Sequence, residues 1–304
     1  MKLYLAGIYT SNFNKQGQVY ARLTEAEKQA RDAIPYFLES YHYIYKQSML
    51  DKIRDDGVQV FLDSGAFSAF TKGVKVDLPA YCQYIKENED IIVKDDGAMC
   101  ASVLDGIGDP LETWQNQRAM EQHGVVPLPC FHYGEDERYL EWYMANYEYI
   151  TLGGMVPIST MQLYHWLDRI WEKYLTDGAG RPKIKVHGFG LTTVKLMERY
   201  PWYSVDSSTW VQHAATGQVT VPGLAGTVQI SANSPSAKVE GRHLDTLPPL
   251  QRQALVDRIE AQGFDVERLR NEYVSRWAYN CWSFTKIGQD IDTETFKTEQ
   301  LELF

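Results

Sequence analysis

The chain lacks paired cysteines, long apolar runs and any excess of positive charge, and each absence removes a class of function. Its cysteines, Cys82, Cys100, Cys130 and Cys281, are scattered with no CxxC spacing. Four reduced, buried thiols are therefore expected rather than a zinc ribbon or a dithiol redox centre. No apolar run reaches the ~18 residues that a membrane span needs. The opening MKLYLAGIYTSNF has one lysine and a short apolar stretch. It reads as a first strand rather than a signal peptide, so a cytoplasmic protein without a membrane partner is expected. Lys and Arg number 30 against 40 Asp and Glu, a net charge of -10. Broad electrostatic affinity for nucleic acid is not expected from that balance, although RPKIKVHGFG and KVEGR are locally basic. No GxGxxG or GxxxxGK[ST] follows the first strand-like run, which argues against dinucleotide and P-loop enzymes.

What the chain does have is alternation. KLYLAGIY, VQVFLD, AMCASVLD, VVPLPCFH, YITLGG, PKIKVHGFG and WYSVD read as seven strands, and GTVQIS as the eighth. Between them lie helical patterns. TEAEKQARDAIPYFLESYHYI is read as one helix, opened by the capping-box pair Thr24 and Glu27. DPLETWQNQRAMEQHG has proline at its start and glycine at its stop. Strands separated by helices predict an α/β fold with a parallel sheet, and eight such units suit a closed (β/α)8 TIM barrel. One domain over residues 1–304 is expected, with an irregular β-rich insertion at 207–245 and C-terminal helices and a tail over 246–304.

The strand ends carry the chemistry. They read Asp63-Ser64-Gly65, Asp105, His132, Gly153-Gly154, His187-Gly188 and Asp206. In an α/β protein the C-terminal ends of the strands form the ligand-binding rim. Asp63 and Asp206 on one rim can divide covalent attack on a sugar carbon and proton transfer to the leaving group. Asp105 can accept two parallel hydrogen bonds from a guanine-like base. Gly153 and Gly154 let backbone approach a flat ligand closely. Other residues have plainer readings. Glu135 and Asp136 suit the start of a helix. His213 and His243 are expected on the surface, and Lys183, Lys185 and Lys195 on a solvated face. Trp202 and Trp210 fit a pocket wall or core equally, and Phe67 and Phe70 fit a base clamp or a loop plug.

LDSGAF, ASVLDGIGD, FHYGED, YITLGGMV, KVHGFG and WYSVDSSTW fall in that order between residues 58 and 210. This ordered set resembles the tRNA-guanine transglycosylase superfamily. It looks most like the phage DpdA-type branch that inserts 7-deazaguanines into DNA. The resemblance implies a TIM barrel and a ping-pong base exchange with retained configuration. It implies Asp206 as the nucleophile and Asp63 as the general acid/base. Asp105, His132, Gly153, Gly154, Ser64 and His187 would line the base, and Lys238 and Arg242 are candidates for holding the nucleic-acid strand.

The chain departs from the family in three places. Phe131-His132-Tyr133-Gly134 stands where the family carries Gln-Gly, and Ala66 replaces a glycine. No cysteine lies between Cys130 and Cys281, so the family's CxCxxC zinc site is absent and no metal or other cofactor is expected. The partners expected are DNA with a flipped-out or single-stranded guanine and a free preQ0-like base, in the host cytoplasm for a phage protein; a homodimer is compatible with this. Two alternatives stay open at this point. One is a tRNA-guanine transglycosylase acting on RNA, and the other a barrel N-glycosidase or nucleoside hydrolase using the same Asp63/Asp206 pair.

Overall fold

The structure is a computed structural model that describes residues 1–191, 193–224, 226–234, 239–291 and 293. The chain forms two compact units. The first comprises Met1–Thr10, Tyr36–Ser207 and the end of the chain from Asp290; the second comprises Ser11–Pro35 and Ser208–Gln289.

The first unit is built on strands β1 (Lys2–Ala6), β2 (Phe37–Ser40), β3 (Val60–Asp63), β4 (Lys94–Asp95), β5 (Ala98–Met99), β6 (Cys130–His132), β7 (Tyr149–Gly153), β8 (Lys185–Gly188) and β9 (Ser204–Ser207). Seven of them form one sheet in the order β3-β2-β1-β9-β8-β7-β6. Every pair in it is parallel. The regular ladder stops at β3 and β6. Single bridges span the space between these edges, Leu62 to Ala101 and Ser102 to Leu128. Backbone hydrogen bonds support them, from Ser102 N–H to Leu62 O (2.9 Å) and from Leu128 N–H to Ala101 O (2.8 Å). The architecture is thus a TIM-like α/β barrel in which a curled seven-stranded sheet is not closed by regular strand pairing.

Several expectations need correction. Residues 24–44 are not one helix: a helix spans Glu25–Asp32, and Phe37–Ser40 is β2, hydrogen-bonded between β1 and β3. GTVQIS is not a strand of the sheet. Its Thr227–Gln229 (β11) pairs antiparallel with Gln218–Thr220 (β10) in the second unit. The AMCASVLD segment pairs regularly only at β5, antiparallel to β4, and reaches the sheet through the single bridges.

Inside the curl, Tyr4, Leu38, Phe61, Cys100, Leu128 and Tyr149 pack into one apolar cluster. Each such side chain contributes roughly 1.5–3 kcal/mol by leaving water. Below it, at the N-terminal ends of β1 and β8, Asp95 accepts hydrogen bonds from Lys2 (2.5 Å), Lys185 (2.6 Å) and the Tyr203 hydroxyl (2.7 Å). Burial works against the Asp95 charge, but Lys185, Lys2 and Tyr203 outweigh it and hold the carboxyl down to about 2. Lys185 therefore belongs to an ion-paired cluster at the end of the strands opposite Asp63, not to a solvated face. Trp202 is fully buried against Trp171, with ring centroids 5.2 Å apart.

In the second unit the Thr24–Glu27 capping box forms as expected, and Arg268 pairs with Glu27 at 2.9 Å. Trp210 is core, stacked on Phe13 at 6.1 Å. His243 is not exposed. It is fully buried, with Nε2 2.9 Å from the Ser231 carbonyl. His213 is half-buried beside Thr220, with Nδ1 3.0 Å from its hydroxyl. All four cysteines are buried and free. Among the described residues no helix is long and apolar enough to cross a membrane.

Candidate functional site

The parallel register puts the strand-end residues on one rim. Ser40 lies opposite Asp63 across β2 and β3, His187 opposite Ser204 across β8 and β9, and His132 opposite Gly153 across β6 and β7. Ser40 donates its hydroxyl to Asp63 Oδ2 at 2.5 Å, and the Gly65 N–H reaches the same oxygen at 3.1 Å. Burial pushes the Asp63 carboxyl up to about 6 against these two hydrogen bonds, and the negative charges of Asp105 and Asp206 push it the same way. Asp63 thus senses both other rim aspartates. A carboxyl poised near 6 can give a proton and take one back close to neutral pH.

Asp206 sits on β9 and is 6% exposed. Its Oδ1 accepts the Gly190 N–H at 2.8 Å and lies 3.3 Å from His187 Nε2. Both contacts fall on one oxygen, so they fix the carboxylate plane without engaging Oδ2. His187 is fully buried, and its Nδ1 lies 2.6 Å from Ser204 Oγ, itself 2.6 Å from the Tyr149 hydroxyl. Phe61 stacks on the imidazole at 4.4 Å. Burial lowers the proton affinity of His187 against the pull of Asp206. His187 was expected beside the base. The structure instead commits both its nitrogens to Ser204 and Asp206.

Asp105 lies beyond the 101–102 bridge. Its Oδ1 is buried without a hydrogen-bond partner and is 3.4 Å from His132 Nε2. That separation is an ion pair rather than a hydrogen bond. His132 is held from behind by Glu135, which takes its Nδ1 at 2.7 Å and its backbone N–H at 3.0 Å. Burial opposes a charge on His132, but Cys130 and Asp105 outweigh it and hold the imidazole well above its ordinary range. A Cβ built on Gly153 would lie 2.8 Å from Cys130 Sγ and 3.0 Å from His132 Cδ2. Glycine at 153 therefore makes room for the His132 ring. Gly154 takes a left-handed φ of 68°. Ser64 is buried, with its N–H on the Ser102 hydroxyl at 2.8 Å and its own hydroxyl receiving the Ala66 N–H at 3.4 Å. It fastens the turn after Asp63.

Among the described residues, Asp105, Cys130 and His132 form a group whose possible ligand atoms lie within 4.8 Å of one another. A metal would need the thiol and imidazole without their protons. Burial pushes the Cys130 thiol up to about 11, and His132 favours its proton.

No family model and no curated protein matches the chain. Among solved structures it is similar to tryptophan synthase from M. tuberculosis in an open form, with 10% identity over 70% of this chain and 85% of that one and a TM-score of 0.39. A likeness this low carries no argument about chemistry. The barrel-like architecture rests on the strand pairing described above.

Sequence reasoning missed Ser40, Gly190, Ser204 and Glu135. Ser40 was hidden with β2. Glu135 had a visible signal, a carboxylate three residues after a rim histidine. Arg242 is exposed in a turn of the second unit, and Lys238 lies outside the described residues. A cavity of ≈ 150 Å³ is lined by Met155, Val156, Leu163, Gly190, Leu191 and Thr193, among others. It adjoins the site through Gly190.

Proposed function

We propose that the protein is a transglycosylase that exchanges guanine in DNA for a 7-deazaguanine base through a covalent glycosyl-enzyme on Asp206. The observation that carries this reading is the gathering of three rim carboxylates with three different settings. Asp206 is oriented through one oxygen by Gly190 and His187. Asp63 is half-buried and poised near 6. Asp105 Oδ1 is buried, makes no hydrogen bond and lies 3.4 Å from His132 Nε2.

The steps follow from those settings. Asp206 attacks C1′, the C1′–N9 bond breaks, and Asp63 gives its proton to the departing guanine. A 7-deazaguanine then enters, and Asp63 takes the proton from its N9–H. The freed nitrogen attacks C1′ and the Asp206 ester bond breaks, so the two displacements retain configuration. Asp105 accepts from N1–H and the exocyclic amine of either base, and His132 donates toward the carbonyl oxygen. Gly153 and Gly154 bring backbone close to the ring. The target nucleotide reaches a barrel rim only when it is flipped out or single-stranded.

The test is incubation with single- and double-stranded DNA and free preQ0, followed by digestion to nucleosides and mass spectrometry. The expected product is the 7-deazaguanine deoxynucleoside, lost by about four orders of magnitude or more in Asp206→Asn. Modified ribonucleoside from tRNA alone would move the substrate to RNA. Released base with an abasic site, and no incorporation, would make the protein an N-glycosidase. Full exchange by Asp206→Asn would remove Asp206 as nucleophile.

A further inference from the structure

Two short helices follow the adjacent strands β2 and β3 and flank Asp63: Tyr41–Ile44 and Ala66–Thr71. Gly65, at φ +71°, lets them meet, because a Cβ there would lie 2.6 Å from His42 Cβ. Their outer surface is aromatic and exposed: Tyr43 36%, Tyr45 53%, Phe67 57% and Phe70 62%. Lysines are interleaved with the rings. Lys72 Nζ stands 4.5 Å over the Tyr43 ring and 3.3 Å from His42 Nε2, and Lys46 Nζ lies 5.8 Å from the Tyr45 ring. Lys75 follows, also exposed.

The charge of this surface runs against the rest of the chain. With 40 acidic residues against 30 basic overall, neither 41–50 nor 64–76 contains a single Asp or Glu. Asp51 and Asp77 bound the two stretches, and Asp77 is occupied in capping Ala80 N–H at 2.8 Å. Exposed rings offer no folding benefit in water. Rings interleaved with ammonium groups are what a single strand of nucleic acid requires, since bases stack on the rings and phosphates meet the cations.

We propose that Tyr43, Tyr45, Phe67 and Phe70, with Lys46 and Lys72, form a stacking platform for single-stranded nucleic acid, placed to deliver a nucleotide to the rim at Asp63. This deepens the transglycosylase reading and rests on it for the fate of that nucleotide. The bound strand itself does not depend on the chemistry.

The test is fluorescence anisotropy with labelled oligothymidylate, and with oligouridylate to distinguish deoxyribose from ribose strands. Neither carries a guanine to exchange, so binding is read apart from catalysis. Phe67→Ser with Phe70→Ser is expected to weaken binding about tenfold or more, with the salt dependence nearly unchanged. Lys46→Gln with Lys72→Gln is expected to reduce the slope of log affinity against log salt by about 1.4. Both pairs lie on the surface, and circular dichroism checks that they fold. Failure of the native protein to bind either oligonucleotide, or equal binding by both variant pairs, overturns the platform. Platform-dependent binding without base exchange on guanine-containing strands would leave the platform standing and overturn the transglycosylase.

Discussion

His187 Nε2 faces Asp206 Oδ1 across 3.3 Å. A hydrogen bond from the ring to this carboxylate oxygen requires the tautomer with its hydrogen on Nε2. Burial keeps the ring neutral, which leaves Nδ1 as an acceptor for the Ser204 hydroxyl at 2.6 Å. Ser204 in turn can accept from Tyr149. The chain of bonds runs in one direction and ends on the proposed nucleophile. Ser204→Ala is expected to leave His187 Nδ1 and the Tyr149 hydroxyl buried without partners, at a cost of about 1–3 kcal/mol each in stability. Urea unfolding measures this. In steady-state exchange the same variant should lose kcat more than KM, because the ring that orients Asp206 is freed while the base contacts are untouched.

The setting of Asp63 predicts a pH profile. A group that must be protonated to release guanine loses effect as pH rises through its value of about 6. kcat/KM for exchange should therefore fall on the alkaline side with a midpoint near that value. Asp63→Asn should remove the limb and lower the plateau by about 10²–10⁴-fold, the usual worth of a positioned acid or base. A limb that persists unchanged in Asp63→Asn would belong to another group.

How much of this could be read in advance depends on what each segment's pattern encodes. The strand ends were legible because Asp, His and Gly recur where successive buried apolar runs stop, although any one of them alone reads equally well as a helix cap or turn. β2 was not, since FLES sits between two helical patterns without glycine, and a short apolar run has no decisive period. The neglected signal was Pro35: the residue before a proline avoids the helical region, and the preceding helix ends at Asp32. GTVQIS misled for the opposite reason. Its alternation of Thr and Gln with Val and Ile marks a half-exposed antiparallel strand, whereas strands of a covered parallel sheet read as nearly continuous apolar runs. Glu135 was legible as a helix start and illegible as a partner, because its role depends on how the chain turns after His132.

Glu39 on β2 gives a stability prediction independent of function. It is 1% exposed, and it accepts the Tyr9 N–H at 2.6 Å and the Thr10 hydroxyl at 2.7 Å. Burial pushes its carboxyl up to about 7 despite these bonds. The folded state therefore binds the proton more tightly than the unfolded chain. Stability from this site is full below the unfolded value of ~4.5 and is lost as pH rises through about 7. Glu39→Gln keeps the shape and removes the charge. Its unfolding free energy, from urea titrations, should match the native protein below about pH 4.5 and exceed it above neutrality by an amount on the order of 3 kcal/mol. A constant difference at all pH values would refute the linkage.

Glu135 and His132 form a pair whose coupling can be measured. Glu135→Gln should raise KM for the free base about tenfold, the cost of a loosened donor, with little change in kcat. His132→Gln places a non-titrating amide donor at the same position and should keep most of the exchange. In that background Glu135→Gln should add nothing, because the ring it positions is gone. Additive losses in the double variant would mean that Glu135 acts by another route.

Gly153 tests whether the base-facing geometry depends on open space beside His132. Its φ lies outside the left-handed region, so alanine meets no backbone strain there. The obstacle is contact, with Cys130 Sγ at 2.8 Å and His132 Cδ2 at 3.0 Å from the new methyl. Cys130 is fully buried and cannot swing out, so the imidazole must give way. Overpacking of this kind costs about 1–3 kcal/mol, and the displaced ring also leaves its place 3.4 Å from Asp105. Gly153→Ala should therefore lower both the urea midpoint and the affinity for the free base. Gly153→Ala with Cys130→Ala relieves the nearer contact and should recover most of the stability. If the double variant stays as unstable as the single one, the crowding lies elsewhere than at the sulfur.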